Sequence, residues 1–265
     1  MQRRLSVLSA ATGVDPYVGE PFEVWLRLRH AYGRRVTIVD LYELVAARRG
    51  IELAALPVKD REELSRAALK VMFSGFQVVD HDGDRRPEPV VLCGYDDRWP
   101  LQFDEWRGRA AAALGYRASR IEHVGSTSVP GMSAKPVIDI QVSVPELRDE
   151  DAYVPALRSL GVILRSRDRD RRYLRPGGGA PRTVQFHVCA AGSKWERDHV
   201  LFRDYLRSSH AARDTYGRAK QETAATWHDD RIAYTEAKTG VILDLLEEAE
   251  EWAHRTAWEV QSQSE

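Results

Sequence analysis

The stretch Glu122-His123-Val124-Gly125-Ser126-Thr127-Ser128-Val129-Pro130-Gly131 places a Gly-Ser pair, three consecutive hydroxyls and a histidine just after an apolar run. Glycine has no Cβ, so the backbone of such a turn can approach an anion closely. The hydroxyls of Ser126, Thr127 and Ser128 add donors, and a helix beginning there would add its dipole. About thirteen residues further on, Asp139 stands inside Lys135-Pro136-Val137-Ile138-Asp139-Ile140-Gln141-Val142. A strand has a period of two, so Asp139 and Gln141 point to one side and Ile138 and Ile140 to the other. A carboxylate in so apolar a run needs a divalent cation, an arginine or a lysine as partner.

A Gly-Ser turn followed by an acidic residue on the next strand is similar to the polymerase-β-like nucleotidyltransferase superfamily. The fuller string, with Gln185-Phe186-His187-Val188, Leu201-Phe202-Arg203-Asp204-Tyr205-Leu206-Arg207, and Tyr234 with Lys238, resembles the GrpB family over residues from about 91 to 258. The resemblance implies an α/β (α+β) fold, a nucleotidyltransferase-like mixed sheet with packed helices. It implies that Gly125, Ser126, Thr127 and Ser128 hold nucleotide phosphates and that Asp139 is the catalytic carboxylate, with NTP as ligand and Mg²⁺ as cofactor. Two departures narrow this. Gln141 stands where the superfamily has a second carboxylate, and Gln185 stands where relatives show the first histidine of a His-x-His pair. A neutral amide binds Mg²⁺ weakly, and two-metal chemistry needs charge to hold both ions. What is left is His123, Asp139 and His187, a candidate set for a transition metal if the strands are adjacent; Asp139 with Mg²⁺ is the alternative.

The expected function is binding of a nucleotide or other phosphorylated ligand with reduced or no transferase activity. An active metal-dependent nucleotidyltransferase acting on a small molecule, protein or RNA is one alternative, and a regulatory or chaperone-like partner module is another. Metal-dependent hydrolysis of a phosphate compound is a third. GrpB-like domains also occur fused to an enzyme of coenzyme A synthesis, but this chain has no kinase-type Gly-rich phosphate loop.

Other cations could reach a phosphate. Arg165 to Arg182 is locally basic, with Asp168 and Asp170 interleaved, and reads as a solvated loop from which Arg172 is the candidate phosphate ligand. Lys135 precedes the Asp139 strand and is a second candidate. Lys220 and Lys238 lie on expected helices and read as solvated. Trp195, Phe202 and Tyr205 read as core aromatics.

These groups need elements to position them. Expected strands are 90–93, 121–124, 137–144, 173–174 and 183–188. Expected helices follow Pro100 and occupy 154–160, about 195–207, about 211–226 and about 231–257. Residues 1–80 read as a small, mainly helical N-terminal domain. Within it Thr37 caps a helix over 38–49 stopped by Gly50. Asp60 and Glu63 form a capping-box-like pair ahead of the stripe Leu64, Ala67, Ala68, Val71, Met72. These helices are a candidate surface for a protein partner. Residues 81–89 read as a linker, 90–258 as the GrpB-like domain and 259–265 as a frayed tail.

Over 265 residues the net charge is −1, which gives no field that would favour nucleic acid. No run reaches the roughly 18 apolar residues of a membrane span, so a soluble cytoplasmic protein is expected. Cys93 and Cys189, in apolar runs without a CxxC partner, read as reduced core thiols.

Overall fold

The computed structural model describes residues 2–73, 75–79, 89–177 and 179–260. The segment read as a linker falls outside these, apart from residue 89, as do residues 261–265 of the tail.

The first helices follow from local signals. After α1 (Gln2–Thr12), α2 (Pro21–Tyr32) opens on a proline, where a missing N–H is harmless. α3 (Ile38–Arg49) has both expected ends. The Thr37 N–H donates to Asp40 Oδ2 at 2.6 Å in a capping box, and Gly50 turns left-handed at φ 65°. α4 (Val58–Met72) departs from expectation. Pro57 takes the cap position, and the Asp60 carboxylate pairs with Arg49 instead. Its buried line is Arg61, Ser65 and Ala68, while Val71 is exposed. Polar partners turn the helix this way: Arg61 Nη2 donates to Asp229 Oδ2 at 2.8 Å, and Ser65 bonds the Tyr42 hydroxyl at 2.5 Å. The N-terminal helices share one apolar cluster with later residues. Trp25, Leu28, Leu41 and Tyr42 pack with Val90, Trp227, Ala233 and Tyr234.

A short strand β1 (Gln77–Val78) precedes the main body of α5 (Arg98–Leu114), β2 (Arg120–Val124), β3 (Ile138–Val144), α6 (Glu150–Arg158), β4 (Val162–Arg167), β5 (Arg171–Pro176) and β6 (Val184–Ala190). Then come α7 (Lys194–Ser208), α8 (His210–Thr226), α9 (Arg231–Glu236) and α10 (Thr239–Thr256). The result is a six-stranded mixed sheet in the order β1-β4-β5-β6-β3-β2 with helices packed on it. β3 and β6 run parallel, and the other neighbours are antiparallel.

Three sequence expectations change here. The basic segment read as a loop is for the most part a hairpin of β4 and β5, in which the strand expected at 173–174 does pair with β6. Residues 90–93 make only a single bridge, Cys93 to Ala134, and Cys93 is exposed; Cys189 is the buried thiol. The helix expected over 231–257 is interrupted at Ala237 and Lys238, so Lys238 becomes the cap residue of α10.

Register assigns each strand residue to a face. Asp139 lies beside Gln185, and Ile140 beside Phe186; Gln141 lies beside His187, which in turn lies beside Tyr173. One face therefore carries Ile140, Val142, Leu174, Phe186 and Val188, all buried under α5 and α6. The other carries Asp139, Gln141, Gln185, His187 and Tyr173, with α7 crossing it. Beyond the sheet, α7, α8 and α10 form a further apolar cluster that takes in Val129 and Met132 from the turn after β2.

Candidate functional site

The turn between β2 and β3 fixes the site. Gly125 has φ 72°, a conformation in which a side chain is strained. A Cβ there would lie 3.0 Å from Asp139 Cβ and 3.1 Å from Cγ, and would collide with Oδ2. Glycine thus lets the turn and the Asp139 carboxylate occupy adjoining space. The next three residues form a 3-10 turn. Two of the three hydroxyls are spent inside it. Ser128 Oγ donates to the Gly125 carbonyl at 2.6 Å, and Thr127 Oγ1 donates to the Val137 carbonyl at 3.3 Å. Thr127 and Ser128 are buried, whereas Ser126 is half-buried and bonds the Tyr216 hydroxyl. The expected row of three ligand-facing hydroxyls reduces to Ser126.

His123 belongs to the turn rather than to the carboxylate. It pairs with Ile140 across β2 and β3, which puts it on the apolar face. Its ring stacks on Phe103 with centroids 4.7 Å apart. Its Nε2 lies 3.0 Å from Thr127 Oγ1. With the Thr127 proton going to Val137, His123 donates from Nε2, which places a proton on that nitrogen. Burial depresses its pKa to about 4. His187 does lie with Asp139, Nε2 to Oδ1 at 3.3 Å, while its Nδ1 is buried without a partner. The expected convergence of His123, Asp139 and His187 on one metal is therefore not what the sheet gives. Among the described residues no group of three His, Cys, Asp or Glu could hold a metal ion.

Gln141, at the second-carboxylate position, is fully buried; its Nε2 donates to the Glu196 carbonyl at 3.4 Å beneath the first turn of α7. The helix closes that position, so the departure from the two-carboxylate pattern is structural as well as chemical.

Arg172 is another correction. It is buried on the α6 side of β5, and its guanidinium is taken by Glu150 and, at 2.6 Å, by the Asp168 carbonyl. The strand alternation that turns Arg172 away turns Tyr173 toward His187, with ring centroids 5.5 Å apart. Trp195 is only half-buried and lies against His187 at 5.8 Å and against His199 at 3.7 Å, so it lines the polar face rather than the core.

Of the three lysines that gather here, Lys135 is the one the sequence marks as a candidate; the other two come from places it left as solvated helix surface. Lys220 on α8 is 2% exposed and donates to the Ser133 carbonyl. Lys238 is 8% exposed, with Nζ 3.6 Å from the centroid of the Tyr234 ring. Lys135, from the loop before β3, reaches the same ring at 5.0 Å. Burial, then the charge of Lys135, depresses the Lys220 pKa to about 7, against the pull of Asp139. Lys238 is likewise depressed, first by burial and then by Lys135 and Lys220. Nearby Glu236 is buried, and burial raises its pKa, so it is a poor counter-ion. Lys220 and Lys238 thus act on each other, on Lys135 and on Asp139 at one end of β3. In the sequence the one trace of this is a tyrosine four residues before each of the two buried lysines, Tyr216 before Lys220 and Tyr234 before Lys238.

The comparisons with known proteins fit this geometry. The GrpB protein family matches residues 89–248. The UPF0157 protein BH1888 of Halalkalibacterium halodurans is 38% identical over 170 residues, covering 63% of this chain and 87% of that protein. A dephospho-CoA kinase of Mycolicibacterium paratuberculosis is 30% identical over 196 residues, covering 64% of this chain and 48% of the kinase. The crystal structure of the conserved protein GrpB from Enterococcus faecalis superposes with a TM-score of 0.55 at 31% identity, covering 61% of this chain and 99% of the other. Among the described residues no helix is long and apolar enough to cross a membrane. The Gly125–Asp139 turn, its sheet and the helices that bring the lysines to it lie within the matched span, and the chain belongs to the GrpB family.

Proposed function

We propose that the protein binds a nucleotide or another phosphorylated ligand at the Ser126–Asp139 end of the polar sheet face, without two-metal nucleotidyl transfer. One observation carries this: Lys220 and Lys238 are both buried beside Lys135, and neither forms an ion pair among the described residues. Burying an ammonium without a counter-ion is costly. A phosphate group would supply the missing charge, with the half-buried Ser126 as a further donor. Tyr173, Trp195 and His187 offer ring faces along the same side of the sheet for the planar part of a nucleotide.

The residues present do not suit two divalent cations. Asp139 stands beside the Gly125 turn with His187 engaged to it, Gln141 is sealed under α7, and Glu122, beside Gln141 in register, is taken by Arg203. In this reading the lysines do the neutralising that metal ions do in a nucleotidyltransferase-like site. The match to part of a dephospho-CoA kinase fits a domain that handles or senses a phosphorylated ligand beside another catalytic unit.

The test is equilibrium binding of ATP, CTP, GTP, UTP and pyrophosphate by calorimetry, with EDTA and with Mg²⁺. Binding that persists in EDTA and weakens by about tenfold in Lys238→Met is the expected result. No binding of any of these anions overturns the proposal. Incorporation of labelled nucleotide that is abolished by Asp139→Ala would restore the transferase alternative.

A further inference from the structure

The N-terminal helices line a cavity outside the residues that match the family. A cavity of about 630 Å³ lies between α1, α3 and the segments flanking them, lined by Leu5, Tyr17, Glu43, Ala47, Ile51 and Glu52. That volume lies within the roughly 300–1,000 Å³ of small-molecule pockets. Among the described residues that line it, the wall is apolar and aromatic apart from two carboxylates.

Glu43 is the unusual member. It is 8% exposed, and its Oε2 is buried without a hydrogen-bond partner. Arg4 and the chain's N-terminal amine both act on it, and the Arg4 guanidinium is already used. Arg4 pairs with Asp40 and donates to the Arg35 carbonyl at 2.9 Å. Asp40, one helical turn before Glu43, is itself held by the Thr37 N–H and hydroxyl. Burial, reinforced by Asp40, raises the Glu43 pKa to about 7. An unpaired buried carboxylate is a standing cost that the fold does not relieve from its own side chains.

The cavity wall is also built. Arg48 donates to the Tyr17 carbonyl at 3.2 Å and to that of Gly19, and Arg27 donates to the Val18 carbonyl at 2.5 Å. These bonds pin the loop that presents Tyr17 over the cavity, although the ring itself is largely exposed. An exposed aromatic face beside a buried carboxylate suits an organic cation.

We propose that this cavity binds a small amphipathic cation, an apolar or aromatic body carrying a primary ammonium, with Glu43 as its counter-ion and Tyr17 against its body. The ammonium would pair with the Glu43 carboxylate and the body would lie on Leu5 and Ile51.

Calorimetric titration of the full chain with tryptamine, against tryptophol in which a hydroxyl replaces the ammonium, tests this. Tryptamine should bind, and tryptophol should bind about tenfold more weakly or not at all. Glu43→Gln keeps the shape and removes the charge, and should cost tryptamine a similar factor. Ala47→Trp, at an exposed position on the cavity wall, should block both compounds while leaving the circular dichroism and the melting temperature near wild type. Absence of tryptamine binding, equal affinity for the two compounds, or indifference to both substitutions overturns the proposal. Pyrophosphate binding should be unaffected by either variant, which separates this site from the lysine-lined one.

Discussion

The two faces of one sheet obey different rules. On the face under α5 and α6, Ile140, Val142, Phe186 and Val188 are completely buried among other apolar side chains. One residue along each strand the pattern inverts, giving Asp139, Gln185 and His187, all partly open, and Gln141, buried with its Oε1 unpaired. Backbone hydrogen bonding is shared between the faces, so the difference lies in the side chains alone. The first face holds the fold together, and the second accepts stability costs that the proposed ligand would offset. Substitutions should therefore separate: large losses of stability with binding as a secondary casualty on one face, and losses of binding with little change of stability on the other.

The sharpest contrast is between neighbours. Phe186→Ala should cost about 3–5 kcal/mol in urea denaturation, from lost burial and the cavity left behind. Gln185→Ala, one residue away, should stay within about 0.5 kcal/mol. Comparable losses for both would show that the polar face is a structural layer and would break the comparison. Gly125→Ala should come next, because it joins the two properties. Its φ of 72° and the proximity of Asp139 make an added Cβ a strain of about 1–3 kcal/mol. The same substitution should also displace the carboxylate and weaken pyrophosphate binding. A stable Gly125→Ala protein with intact binding would show that the turn is not fitted to Asp139.

Gln141 offers a test of a different kind. Gln141→Glu restores a carboxylate at the position where a transferase would have one, but beneath Glu196 and the first turn of α7. The expected result is a less stable protein, by roughly 1–3 kcal/mol, with no gain of nucleotide transfer. Transfer by this variant with Mg²⁺ would mean that α7 yields and that only a side chain separates this chain from the active superfamily.

How much of this was readable from the chain depends on how local each signal is. Gly125, Ser126 and Asp139 were legible because a turn and the strand after it are set by adjacent residues. The alternation that puts His187 beside Asp139 was legible once β3 and β6 were recognised. Arg172 was misread because the basic run hid a strand, and on a strand a one-residue error reverses the face. His123 was misread for a related reason: its antiparallel pairing with Ile140, not its nearness to Gly125 in sequence, decides where it points. Lys220 and Lys238 were the least legible. Each has a tyrosine one helical turn before it, Tyr216 and Tyr234, but exposure of a helical lysine is decided by what packs on the helix, here the segment after β2 through the Ser133 carbonyl.

The smallest effect expected is also the one that most directly probes those lysines. Sulfate carries a constant charge between pH 6 and 9, so any change in its binding over that range must come from the protein. Lys220 titrates near 7 in the folded chain, pushed there by burial and by Lys135, with Lys238, Asp139 and Cys93 also acting within the same cluster. Its charged form is the one that attracts sulfate, so affinity should fall severalfold as pH rises through about 7. Stability should move the other way. Between about 7 and the ordinary lysine range near 10.5 the unfolded chain holds the Lys220 proton more firmly than the folded one, so folding becomes more favourable as pH rises across that window. Lys220→Met should flatten both trends, because the replacement has no proton to lose and no charge to desolvate. Sulfate affinity that is level from pH 6 to 9 in the wild-type protein, or a slope that survives in Lys220→Met, would mean that the buried ammonium on α8 does not face the anion. The polar face would then have to be explained by Asp139 and His187 alone.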